Sequence, residues 1–332
     1  MSDRRIIEVN DLKVGFDIKG KFYNAVDGVS FSIDRGEVMG IVGESGCGKS
    51  VLSMSLMKLL PEKISRISGG EIIYKGEHIE KKTEDEINKF RGKEISMIFQ
   101  EPMTSLNPVF TIGNQLIEMI QLHLKLNKQQ ARERAIELLR QVGIPRADKI
   151  VDEYPHQLSG GMRQRVMIAL AISCMPSLLI ADEPTTALDV TVQAQILELL
   201  KDVQTKTDMS IIFISHDLGV ISEVCDTVAV MYAGRIIEKA KVSEVFKNPK
   251  HPYTQLLLKS IPKLDEEVER LETIKGIVPS ITELRTEGCR FAERCPFAME
   301  HCYTTTPKAS EFEKGHIAYC HLYNDVKEEV VR

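Results

Sequence analysis

Three groups of residues have the types and spacing that chemistry requires. Residues 43–50 read Gly43-Glu44-Ser45-Gly46-Cys47-Gly48-Lys49-Ser50, a G-x-x-x-x-G-K-[ST] pattern. Glycines let backbone N–H groups close on an oxyanion and permit turns that a side chain forbids. A helix starting at the end of such a loop adds a partial positive charge. Lys49 then reaches the β/γ-phosphates of a nucleotide, and the Ser50 hydroxyl ligates Mg²⁺. Cys47 is read as a small filler, because the loop works through its backbone. The second group is Asp182-Glu183, at the end of an apolar run. Beside a bound nucleotide, Asp182 suits a water-mediated hold on Mg²⁺ and Glu183 suits polarising the attacking water. The third is Cys289, Cys295, Cys302 and Cys320, four soft ligands near the end of a 332-residue chain. Zinc and an iron–sulfur cluster both accept four thiolates. The short C-x2-C to C-x4-C knuckles of structural zinc sites do not occur here, and the longer spacings leave room for a cluster whose irons are anchored separately. His301, His316 and His321 flank the cysteines and are candidates to replace one. The other cysteines, Cys47, Cys174 and Cys225, stand alone.

The elements that position these groups are legible in outline. Val38–Val42, 178–180 and 210–214 are apolar runs bounded by Gly or charged residues and predict buried strands. Helical periodicity fills the intervals. Over 129–142 it runs through Ala131, Ala135, Leu138, Leu139 and Val142 with Gly143 as a stop, and over 190–205 through Val192, Ile196, Leu199 and Val203. Alternation of this kind predicts an α/β fold with a mixed, mainly parallel sheet covered on both faces. Residues 8–16 and 29–33 look like antiparallel additions, and 104–172 like a helical insertion. Near residue 245 the alternation breaks at Asn248-Pro249-Lys250-His251-Pro252. A charged stretch, 263–275, follows, and then a small module bearing Cys and Pro. The expected organisation is therefore a nucleotide-binding domain over 1–245 and an extension over 246–332. The extension is short for a core of its own, so a bound metal is expected to supply much of its stability.

Composition bounds the function. Lys and Arg number 43 against 48 Asp and Glu, and a formal charge of −5 argues against a dedicated nucleic-acid binder. The longest apolar run, 166–175, falls well short of the ~18–20 residues a membrane span needs. The opening MSDRRIIEVN carries no stretch suited to secretion, so a cytoplasmic protein is expected, and crowded cysteines there favour a metal over disulfides.

Leu158-Ser159-Gly160-Gly161-Met162-Arg163-Gln164, shortly before the acidic run, resembles the signature sequence of ATP-binding-cassette (ABC) ATPases. Gln100, after the apolar run 95–99, is similar to the Q-loop glutamine; Ala187-Leu188-Asp189 resembles the D-loop; His216 stands where the switch histidine belongs. The segments Phe99-Gln100-Glu101-Pro102-Met103-Thr104-Ser105-Leu106-Asn107-Pro108 and His251-Pro252-Tyr253-Thr254-Gln255-Leu256-Leu257 are similar to the oligopeptide and dipeptide permease branch. So is the tail around Gly288-Cys289-Arg290-Phe291 and Arg294-Cys295-Pro296, and dipeptide-permease ATPase subunits resemble the chain most.

That resemblance implies an ATPase in which two cassettes sandwich two ATP molecules. It places Ser159, Gly160, Gly161 and Gln164 on the nucleotide of a partner cassette and Gln100, Glu183 and His216 in hydrolysis, with Gln100 also near Mg²⁺. It implies an aromatic residue against the adenine, for which Phe16 is the first choice and Phe22 or Tyr23 the alternatives. It implies docking onto two integral-membrane permease subunits at the cytoplasmic face of the membrane, through a groove near Pro102, Met103 and Phe110, with an extracellular peptide-binding protein acting indirectly. It implies a [4Fe–4S] cluster on the four tail cysteines. A nickel-permease ATPase, a soluble ABC protein that remodels nucleic acid or ribosomes, and a regulatory protein with an inactive nucleotide site are the alternative readings.

Overall fold

The computed structural model describes residues 4–100, 105–186, 188–260 and 274–324. Glu101 to Thr104, Ala187 and most of the charged stretch 263–275 lie outside the described residues, and with them the groove candidates Pro102 and Met103. In chain order the strands are β1 (Arg5–Ile18), β2 (Lys21–Asp34), β3 (Val38–Val42), β4 (Ser65–Tyr74), β5 (Glu77–His78), β6 (Ile95–Ile98), β7 (Leu178–Asp182), β8 (Ser210–Ser215), β9 (Thr227–Tyr232), β10 (Arg235–Lys241), β11 (Ala309–Glu311) and β12 (Ile317–Tyr319). The main helices are α1 (Lys49–Leu56), α2 (Ile112–Leu124), α3 (Lys128–Gln141), α4 (Gly160–Ile172), α5 (Val190–Thr207), α6 (Leu218–Val224) and α7 (Pro252–Lys259).

These elements form two compact units. The first contains residues up to 6, 33–37 and 81–214; the second contains 7–32, 38–80 and those from 215 onward. In the first unit β6, β7 and β8 run parallel, with Ile95 opposite Leu178 and Leu178 opposite Ser210. Every residue of β7 is buried, as expected of a parallel strand covered on both faces. Pairing of Asp182 with Ile214 carries β7 past the expected end at 180, so the first acid belongs to the strand itself. β6 stops at Ile98, one residue short of the expected 95–99, and leaves Phe99 exposed.

The insertion expected over 104–172 has helices as its only regular elements among the described residues. Its helices begin where side chains satisfy the first free amides. Thr111 accepts from the Asn114 N–H, and Asn127 and Gln130 form a reciprocal capping box that starts α3 at Lys128. The face of α3 read from the sequence is the buried one, with Ala131, Ala135, Leu138 and Leu139 inward. In α5 the buried stripe is Ile196, Leu197, Leu200 and Val203, displaced from the expected Leu199.

In the second unit β1, β2, β4 and β5 form an antiparallel sheet in the order β2-β1-β4-β5. The strand expected over 8–16 is longer, so Phe16 lies inside β1 opposite Ser65 rather than beyond a strand end. β3 pairs in parallel with β9, β9 in antiparallel with β10, and β10 with β12 of the tail.

The extension shares the core of the second unit. Glu238 of β10 is fully buried and accepts from the backbone N–H groups of Lys250 (2.7 Å) and His251 (2.9 Å) and from His316 Nε2 (2.6 Å). Phe291 packs edge-on against Tyr232 and Tyr253, with ring centroids 5.1 and 5.3 Å apart. His316, a candidate to replace a tail cysteine, is committed to Glu238 instead.

Candidate nucleotide site and cysteine cavity

The 43–50 loop joins β3 to α1, as a phosphate-binding loop requires. Two glycines are enforced by close approach. A Cβ at Gly43 would lie 2.1 Å from the Met231 carbonyl oxygen; at Gly48, where φ is +102°, it would lie 2.8 Å from that of Ala25. Lys49 is buried, with Nζ donating to the carbonyls of Gly43 (2.7 Å) and Glu44 (3.2 Å). Its ammonium therefore sits over the loop's own backbone, and Gly48 and Lys49 open the positive end of α1. Burial pushes the Cys47 thiol up, consistent with an unreactive filler.

In the first unit, Asp182 ends β7 and is buried. Glu183 follows with φ at +48°, a left-handed conformation that costs a non-glycine residue of order 1–3 kcal/mol. The surroundings fix it: the Glu183 N–H donates to the Ile214 carbonyl, and its carboxylate accepts from Gln100 Nε2 (3.0 Å) and Thr186 Oγ1 (2.9 Å). Two residues 83 apart in sequence are thus brought to one hydrogen bond. Sequence reasoning missed Thr186, for which spacing gave no signal.

Ser159 is the N-cap of α4, accepting from the Met162 N–H at 3.4 Å. A Cβ at Gly160 would meet nothing within 4 Å, so this helix start is open to an anion. Gln164, expected on the nucleotide, is instead buried, its amide donating to the Pro184 carbonyl. It ties α4 to the residue after Glu183. Asp189 of the D-loop segment caps α5 through the Val192 N–H. His216 follows β8 and is exposed. Among the aromatics, Phe16 is half-buried, the Phe22 ring is covered by the Arg66 guanidinium at 4.2 Å, and Tyr23 carries Lys21 at 5.1 Å.

The four tail cysteines come together. Cys289, Cys295, Cys302 and Cys320, far apart in sequence, line one cavity with His251, Phe297, Met299 and His321. All four are free thiols. Burial, reinforced by the neighbouring cysteines, pushes Cys289 up to about 11 and Cys320 up to about 12. A positively charged group inside the ring is what would let them ionise. Among the described residues, no three His, Cys, Asp or Glu are grouped to hold one metal ion.

Comparison with solved structures gives the class. The dimeric ATP-binding cassette MJ0796, in a post-hydrolysis state bound to ADP and Pi, matches 71% of this chain and 99% of its own with 25% identity and a TM-score of 0.65. The fold is that of an ATP-binding cassette. Family profiles described as "ABC transporter" and "Oligopeptide/dipeptide transporter, C-terminal region" match residues 26–186 and 237–302. The oligopeptide transport ATP-binding protein AppD of Bacillus subtilis is 53% identical, over 96% of this chain and 97% of its own. OppD of the same organism, also an oligopeptide transport ATP-binding protein, is 50% identical over 94% and 87%. The chain belongs to the ATP-hydrolysing, ATP-binding subunits of ABC transporters, in the oligopeptide/dipeptide branch. No described helix is long and apolar enough to cross a membrane.

Proposed function

We propose that this chain hydrolyses ATP to energise import of di- or oligopeptides through a membrane-embedded permease, acting peripherally at the cytoplasmic face. The observation that carries the reading is the near-full-length likeness to oligopeptide transport ATP-binding proteins, which extends through the C-terminal region as well as the cassette. Nothing in these relatives favours nickel carriage or work on nucleic acid or ribosomes.

In this reading Gly43, Ser45, Gly46, Cys47 and Gly48 present backbone amides to the phosphates, Glu44 anchors the loop through its own amide on the Tyr253 hydroxyl, and Lys49 neutralises the β/γ-phosphates. Ser50 ligates Mg²⁺, and Asp182 holds it through water, with Gln100 beside it. Glu183 polarises the attacking water, and His216 supports the γ-phosphate as it leaves. The Gln100 hydrogen bond aims the Glu183 carboxylate, so a shift of the segment after β6 would disturb the base directly. Phe16 takes the adenine. Ser159, Gly160 and Gly161 present the start of α4 to the γ-phosphate of ATP on a second cassette, identical or related. ATP then clamps the pair, and hydrolysis releases it. Two integral-membrane permease subunits take the mechanical output, and an extracellular binding protein supplies peptide. The test is proteoliposomes holding the permease pair, this chain and its partner cassette. Peptide-loaded binding protein should raise ATP turnover several-fold; turnover indifferent to peptide would contradict the reading.

We further propose that Cys289, Cys295, Cys302 and Cys320 hold an iron–sulfur cluster, supported by their shared cavity. These four cysteines would hold the cluster, which when bound would supply the positive charge that lets buried thiols ionise. Protein purified without oxygen is expected to be brown, with iron and sulfide near four each per chain, as a [4Fe–4S] cluster holds. Colourless protein with a single zinc would contradict the assignment.

A further inference from the structure

The phosphate loop is held from outside by the C-terminal extension. Arg294, next to Cys295, places both terminal nitrogens on the Glu44 carboxylate, at 2.7 and 2.9 Å, and its side chain is only 7% exposed. Its Nε donates to the Lys275 carbonyl at 2.8 Å, so the fork is braced within the extension. Glu44 is gripped at two further points. Its N–H donates to the Tyr253 hydroxyl at 2.9 Å, and its carbonyl lies 3.2 Å from Lys49 Nζ. Tyr253 is itself wedged against Tyr232 and Phe291, the latter two residues beyond Cys289.

A second connection reaches the far end of the loop. The Cys47 carbonyl accepts from the Gly234 N–H at 2.8 Å, and the neighbouring Ala233 carbonyl accepts from Arg290. Arg290 in turn pairs with Asp27 at 2.7 Å. Two arginines of one short tail segment therefore brace the loop at both ends.

The charge arrangement sharpens the point. Glu44 is a carboxylate on a loop whose task is to attract a polyanion. Left bare, it would repel a triphosphate and free the loop to move, and both effects weaken binding. A bidentate guanidinium removes the charge and fixes the geometry together. We propose that Arg294 is a positioning residue of the nucleotide site: by holding and neutralising Glu44, it lets the C-terminal extension set the affinity of the phosphate loop for ATP. The proposal rests on reading residues 43–50 as the ATP site.

The test is titration of the full chain with the fluorescent analogue mant-ATP and Mg²⁺, alongside thermal melting and steady-state kinetics. Arg294→Gln should weaken mant-ATP about tenfold and raise KM for ATP by a like factor, with kcat within about twofold. Arg294→Lys, which keeps the charge but not the fork, should weaken it two- to threefold. Adding Glu44→Gln to Arg294→Gln should restore affinity to within about threefold of wild type, because the exposed carboxylate is gone. A purely structural arginine would lower the melting temperature without this rescue. Wild-type affinity in Arg294→Gln, or a double variant no better than the single, would overturn the proposal. If Arg294→Gln does not fold, Arg294→Lys decides, and wild-type affinity there overturns it. A wild-type chain that does not bind mant-ATP would remove the ATP reading itself and this proposal with it, a result distinct from any failure of the variants alone.

Discussion

Replacing Glu183 with glutamine is expected to lower ATP turnover by about two to three orders of magnitude while ATP remains bound, the scale on which a general base contributes. The substitution is nearly isosteric. A glutamine at 183 keeps a carbonyl oxygen able to accept from Gln100 Nε2 and Thr186 Oγ1, the two bonds that orient the carboxylate. The unusual backbone at +48° is held by the Ile214 carbonyl and does not depend on the side-chain charge. What is lost is the negative charge that draws a proton from water. Phosphate release should therefore collapse without a matching loss of affinity, which a nucleotide-retention assay reads separately. Unchanged turnover would remove Glu183 from this role.

Replacing Glu238 with alanine is expected to destabilise the second unit by about 3–5 kcal/mol, the cost of removing a buried carboxylate and leaving its buried hydrogen-bond donors without an acceptor. The Lys250 and His251 amides and His316 would lose their shared acceptor in a site closed to water. At about 2–4 °C per kcal/mol for a unit of this size, its melting temperature should fall by roughly 10 °C. The effect depends on pH in a defined direction. Burial alone would raise the Glu238 carboxyl, but the bonds from His316 and the backbone amides outweigh it and hold the group below its ordinary value of 4.5. A depressed carboxylate contributes stability that is complete above the unfolded value and is lost as pH falls through the lower folded one. The gap between wild type and Glu238→Ala should thus be widest near neutrality and narrow below about pH 4.5. Superimposable melts at neutral pH would show that the carboxylate is no anchor.

Much of this was legible in the chain and some was not, for physical reasons. The phosphate loop announces itself because backbone chemistry demands glycine at fixed intervals, and Gly43 and Gly48 confirm that demand through the carbonyls a side chain would strike. The strands carrying the acids were visible as apolar runs, since parallel strands are buried on both faces. Their ends were less so: β7 reaches Asp182 because it pairs with Ile214, a contact no local pattern reports. Gln164 reads as a ligand by its place in a motif, yet its amide serves Pro184 from inside the core. The tail's attachment was the least legible: Glu238, Phe291, Arg290 and Arg294 merge it with the phosphate-loop unit. Those partners lie tens to hundreds of residues away, and charge pairs at such separations leave no periodicity to read.

The account turns on residues 43–50 seizing a nucleotide whose water is then activated by Glu183, and one binding measurement tests it most directly. In the Glu183→Gln chain, where turnover cannot empty the site, equilibrium dialysis with ATP and Mg²⁺ should give one nucleotide per chain, with occupancy falling sharply when Mg²⁺ is chelated or Lys49→Ala is added. Occupancy indifferent to magnesium and to Lys49 would contradict the account.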